Sequence, residues 1–269
     1  MSRRAGIALV VGLLAVAMLC ACNRTSSGGN GSSGSVGAAG SVSPRVALIY
    51  NGKVAAEGAP EALAVLVKYL GMKVTYFDSP AKLPSLLKGA TFCMIGGTED
   101  DLTPLLDEYT PPVRKALTDW LRGGGVYVGI CGGGYVASQG WEESYGMVKA
   151  WGLVPVLSEA WVEDADPRII TVDWNGATRA IYYQYGPTFL VKSDSDVKVI
   201  ARYDDGMVAA LIAPFGKGRV FVSGPHPEAD KTWLIDDPAP VHAERWKPTR
   251  DIALALLRSL LDTKELRNW

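Results

Sequence analysis

Three residues carry the side chains for one piece of covalent chemistry. Cys131 stands in Gly129-Ile130-Cys131-Gly132-Gly133-Gly134-Tyr135, and His226 and Glu228 stand in Gly224-Pro225-His226-Pro227-Glu228. A cysteine nucleophile needs a base to take its proton, and that base needs a carboxylate to fix its tautomer. His226 and Glu228 supply both from one turn, which Pro227 stiffens so that Glu228 can fold back. The chain has two histidines, and the other, His242, has no partners at metal spacing and reads as a surface residue.

The elements around these residues fit that chemistry. Val126, Tyr127, Val128, Gly129 and Ile130 read as a strand that breaks at Cys131 and resumes as a helix. A nucleophile at such a strand-to-helix bend is an elbow, with glycines allowing close backbone approach and a strained conformation at the cysteine. A helix start and partial exposure there favour a thiolate. The alternative is a phosphate-binding turn or a plain tight connection. The rest of the first half alternates strands at 45–50, 73–77 and 91–95 with helices at 60–70, 80–88 and 111–121. That alternation predicts a flavodoxin-like three-layer α/β/α sandwich with a mostly parallel central sheet. Sites in such sheets lie at the carboxyl ends of the strands, where Gly96-Gly97 and Cys131 both fall. Strands are expected at 168–172, 180–185, 197–203, 207–212 and 219–223, with Asp205-Gly206 as a hairpin turn and a closing helix at 250–261.

At 48% hydrophobic and 20% charged, with formal net charge -1, the chain is globular and has no basic bias toward a nucleic-acid partner. Arg3 and Arg4 precede an apolar run that ends in Leu19-Cys20-Ala21-Cys22, which resembles a bacterial lipobox. The resemblance implies a signal peptide over 1–21, lipid on Cys22 and a protein anchored to the membrane of the bacterial cell envelope. An uncleaved anchor or an ordinary secretory signal is the alternative. The Gly/Ser-rich stretch to residue 43 reads as a flexible linker, and 44–269 as one domain. Cys93 lies in an apolar run and reads as a buried small hydrophobe, so both remaining thiols are expected free.

The two motifs, 95 residues apart from Cys131 to His226, resemble the class I glutamine amidotransferase superfamily. With Tyr182-Tyr183-Gln184-Tyr185-Gly186-Pro187 they look closest to the branch found as the N-terminal domain of fungal biotin–protein ligases. The resemblance implies Cys131 as nucleophile, His226 as base, Glu228 as its orienter and the N–H groups of Gly97 and Gly132 as the oxyanion hole. It also suggests a substrate pocket at Tyr135, Tyr183 and Gln184. Tyr135 stands where glutamine-using members carry Gln, so a small-molecule or peptide amide other than glutamine is the expected substrate. No cofactor is expected. Glu99, Asp100 and Asp101 have no nearby histidine and are not read as a metal site. The rival reading is a non-catalytic ligand-binding or scaffold lipoprotein on the same fold.

Overall fold

The computed structural model describes residues 45–234 and 246–262; the leader, Cys22, the linker and His242 lie outside the described residues. The first half runs β1 (Val46–Tyr50), α1 (Ala59–Tyr69), β2 (Lys73–Phe77), α2 (Leu83–Leu86), β3 (Ala90–Ile95), α3 (Thr103–Asp107), α4 (Pro111–Arg122), β4 (Val126–Ile130) and α5 (Gly132–Ala137). The second half carries β5 (Gly140–Glu143), β6 (Gly146–Lys149), β7 (Leu157–Ala160), β8 (Arg168–Trp174), β9 (Ala177–Tyr183) and β10 (Pro187–Leu190). β11 (Lys198–Tyr203), β12 (Val208–Phe215), β13 (Gly218–Ser223) and α6 (Arg250–Leu261) follow.

Nine strands form one sheet in the order β2-β1-β3-β4-β13-β12-β11-β8-β9. The pairings from β2 to β13 are parallel, and those from β13 to β9 antiparallel. The parallel strands alternate cleanly between two cores, as period-2 side chains must. Ala47, Ile49, Phe92, Met94, Val126 and Val128 face α1 and α6. Leu48, Tyr50, Cys93, Ile95 and Tyr127 face α2 to α5. Cys93 lies opposite Tyr127 in the β3–β4 register.

Helix α4 shows how sequence sets this packing. Pro111 and Pro112 open it, and Val113, Leu117 and Leu121 recur at four-residue spacing and are all buried. Burying each such side chain stabilises the fold by about 1.5–3 kcal/mol. Trp120 donates its indole N–H to Ala90 O at 3.0 Å. The chain then turns at Gly124, whose φ of 117° suits glycine.

The sequence reading omits four short strands and α3. β5 pairs with β6, and β7 with β10, as two small antiparallel ribbons outside the main sheet. Each strand is only four residues long, and β10 opens at Pro187 straight after Gly186, a pair that reads as a turn. β9 stops at Tyr183 rather than 185, because Tyr185 takes a left-handed φ of 51°. Among the described residues no helix is long and apolar enough to cross a membrane.

Candidate active site

The carboxyl ends of β1, β3, β4 and β13 lie along one edge of the parallel sheet, and that edge gathers the chemistry. Cys131 follows β4 with φ 53° and ψ -113°, a conformation that costs a non-glycine residue about 1–3 kcal/mol and persists only when its surroundings enforce it. The enforcement is visible. Cys131 N donates to Ser223 O at 2.8 Å, and Cys131 O accepts from Gly134 N at 2.8 Å and Tyr135 N at 3.1 Å. Two neighbours must be glycine. A Cβ on Gly133 would stand 2.0 Å from Ile95 O, and one on Gly132 1.9 Å from Thr98 Oγ1. The helix that follows has six residues, so little macrodipole stands behind Cys131, unlike the sequence expectation.

His226 follows β13 and is tied to β9 by its N–H, which donates to Tyr182 O at 2.8 Å. Its Nδ1 lies 2.9 Å from Glu228 Oε1, with both side chains buried. The imidazole also touches the edge of Trp233, with ring centroids 5.2 Å apart, and stands edge-on to Tyr182 at 5.7 Å. Burial alone would pull the His226 value down. The negative charges of Glu228 and Cys131, and the hydrogen bond to Glu228, outweigh it and push the imidazolium up to about 10. The ring is backed by the carboxylate and feels the charge of Cys131.

The backbone supplies two unused donors beside them. Gly97 and Gly132 are buried, and neither N–H donates to another described residue. Gly97 lies against the imidazole, since a Cβ there would stand 3.1 Å from His226 Cε1. Buried N–H groups without acceptors are costly unless a ligand satisfies them.

The other residues expected at a pocket are placed differently from one another. Tyr135 is buried in α5, edge-on to Trp141 at 5.4 Å. Tyr183 is fully buried, donates its hydroxyl to Gly186 O at 2.9 Å and packs edge-on to Trp161 and Tyr203. Burial, and then the Cys131 charge, push the Tyr135 phenol well up; burial and Cys131 act on Tyr183 in the same direction. Both rings are packed in the interior rather than facing open space. Gln184 is exposed, and its main chain meets the site: Cys131 Sγ donates to Gln184 O at 3.5 Å. The expected partial exposure of Cys131 reduces to 9%. Sequence reasoning missed Trp233 and the Gln184 carbonyl. Nothing in their spacing signals them, because both reach the site through loop geometry.

Cys93 is free and wholly buried, and burial pushes its thiol up to about 12. Among the described residues no group of three or more His, Cys, Asp or Glu could hold a metal ion.

The fold recurs in solved structures. A glutamine amidotransferase from Thermotoga maritima matches 82% of this chain and 98% of its own with a TM-score of 0.54 at 15% identity. A second glutamine amidotransferase matches 68% of this chain and 90% of its own, with a TM-score of 0.53 at 16% identity. PurLQS from the same Thermotoga matches with a TM-score of 0.55 at 13% identity, over 80% of this chain. The fold is glutamine amidotransferase-like. A curated relative, the biotin–protein ligase of Schizosaccharomyces pombe, is 26% identical over 81% of this chain. This chain spans about two fifths of that ligase, 38% of its length. No family model matches the chain.

Proposed function

We propose that this protein is a cysteine-dependent enzyme that cleaves an amide or related acyl bond, with Cys131, His226 and Glu228 as its catalytic set. The observation that supports the reading is a buried imidazole, His226, held by Glu228 at 2.9 Å and raised in part by the nearby charge of Cys131, whose backbone is strained. In the proposed cycle His226 already holds the proton as an imidazolium beside the Cys131 thiolate, and Cys131 Sγ bonds to the substrate carbonyl carbon. The N–H groups of Gly97 and Gly132 hold the resulting oxyanion. The carbon–nitrogen bond breaks, and His226 returns its proton to the leaving amine. Water then attacks the thioester with His226 as base, and the carboxylic acid leaves. Glutamine is not the proposed substrate, because Tyr135 stands four residues after Cys131, packed in the interior.

The proposal includes the envelope. Cys22 carries lipid, and residues 22–43 tether the domain to the membrane. It rests on the lipobox-like run Leu19-Cys20-Ala21-Cys22 and the Gly/Ser-rich linker.

One observation favours the rival reading of a non-catalytic binding domain. The thiol is covered, with the Gln184 carbonyl on its sulfur. Alkylation kinetics separate the two. On the enzymatic reading iodoacetamide at neutral pH modifies Cys131 much faster than Cys93, and His226→Ala slows that modification on the order of 10²-fold. A rate equal to that of a peptide thiol and indifferent to His226 would favour the binding domain.

A further inference from the structure

A cleft of about 400 Å³ opens beside the catalytic edge, between the end of β1 and the start of α1. Its wall includes Ala56, Glu57, Gly58 and Glu61. Ala56 joins it to the reacting groups: its N–H donates to Gly97 O at 3.1 Å, and its Cβ lies 3.7 Å from where a Cβ on Gly97 would stand. Gly97 in turn touches His226. Trp233, which packs on the imidazole, turns its indole nitrogen toward the cleft, 3.7 Å from the position of a Cβ on Gly58. That indole N–H donates to no described residue.

The charge around this opening is one-sided. Glu57 and Glu61 line it with no cationic side chain among the lining residues. The loop after β3 runs alongside, joined by Glu99 N to Val54 O at 2.9 Å and by an isolated pairing of Ala55 with Thr98. That loop adds Glu99, Asp100 and Asp101. All five carboxylates are exposed, and the one lysine among these two loops is Lys53. The whole chain has a formal net charge of only -1, so this negative edge is a local concentration and not the protein's general field. A cleft lined by one sign of charge over low-dielectric walls raises the local concentration of the opposite ion, by 10-fold or more at low salt.

We infer that the substrate is an acyl compound bearing a protonated amine, which sits in the cleft against Glu57 and Glu61 while its carbonyl oxygen meets the Gly97 and Gly132 N–H groups. This deepens the proposed function and rests on Cys131 being the accessible nucleophile of that reading. The unused buried donors call for an oxygen, and the carboxylates beside them call for a cation on the same molecule.

Three small thiol reagents of one reaction type test it: 2-aminoethyl, methyl and 2-sulfonatoethyl methanethiosulfonate, which are cationic, neutral and anionic. In each, the Cys131 thiolate attacks the sulfenyl sulfur, a disulfide forms, and methanesulfinate leaves with the bonding pair. Rates at Cys131, followed by mass spectrometry and divided by those of a cysteine peptide, give the charge preference of the site. The cationic reagent is expected to exceed the anionic one by about 10-fold or more at low ionic strength. The preference collapses toward the peptide ratio near 1 M salt, where the Debye length is about 3 Å. In Glu57→Gln/Glu61→Gln it falls several-fold, and circular dichroism checks that the fold is retained. Equal rates, or a preference for the anion, while the neutral reagent modifies Cys131, would overturn the inference alone. Failure of all three reagents to modify Cys131 would overturn both the inference and the reading beneath it.

Discussion

His226 and Glu228 meet through one hydrogen bond, Nδ1 to Oε1 at 2.9 Å, and the second carboxylate oxygen of Glu228 is buried without a hydrogen-bond partner among the described residues. The carboxylate is therefore held for its effect on the ring rather than as a hub of a wider network. In Glu228→Gln the nearest negative charge disappears while the shape stays. NMR titration of the His226 ring should show its midpoint fall from about 10 to about 7–9.

The same shift gives a pH signature in stability. The folded-state value of His226, about 10, lies above the 6.5 of a free imidazole, so protonated His226 stabilises the folded chain. That contribution is complete below about 6.5 and is lost as pH rises from there through about 10. Urea unfolding at stepped pH should show stability draining away across this window in the native protein, and a flatter profile in His226→Gln.

Gly132→Ala places a methyl group on Thr98, 1.9 Å from Oγ1 and 2.7 Å from Cγ2. Overpacking of this kind costs about 1–3 kcal/mol. Thr98→Ala in the same chain removes both of those atoms and should restore part of the loss. Thermal melts of the single and double variants check the coupling, and additive losses would show that the two residues do not share that space.

Glutamine should release ammonia at the background rate, because Tyr135 occupies the position in α5 and its ring is packed edge-on to Trp141. A coupled ammonia assay reads this directly. Robust glutaminase activity would show that the site tolerates tyrosine there.

Cys22→Ser should release the protein from the membrane fraction or block its processing. The readout is fractionation with metabolic labelling by a fatty acid. Unchanged retention together with normal processing would remove the lipid anchor from the proposal.

The central strands of the parallel half, β1, β3 and β4, are legible in the sequence because they are short, mostly apolar runs, as in Val126–Ile130, while β2 at the sheet edge is read from its β-prone residues. Fully buried strands between helices leave no other reading for such runs. β5, β6, β7 and β10 are not legible, since four residues of mixed burial carry no period. The site divides in the same way. The approach of Glu228 to His226 is local, two residues along a proline-stiffened turn. The Gln184 carbonyl reaches Cys131 only because Tyr185 adopts a left-handed φ of 51° and reverses the chain there, which no side-chain pattern announces.

The β3–β4 register has a redox consequence. Cys93 lies opposite Tyr127, and Cys131 stands four residues further along, about 13 Å away at strand spacing. A disulfide needs Cα atoms within about 7 Å, so among the described residues no second thiol can close on Cys131. If an oxidant converts Cys131 to the sulfenic acid, no described residue supplies a resolving thiol, and a small external thiol is then the route to recovery among the described residues. The Gln184 carbonyl over the sulfur then acts as a shield for a residue whose oxidised form has no neighbouring thiol among the described residues to reduce it.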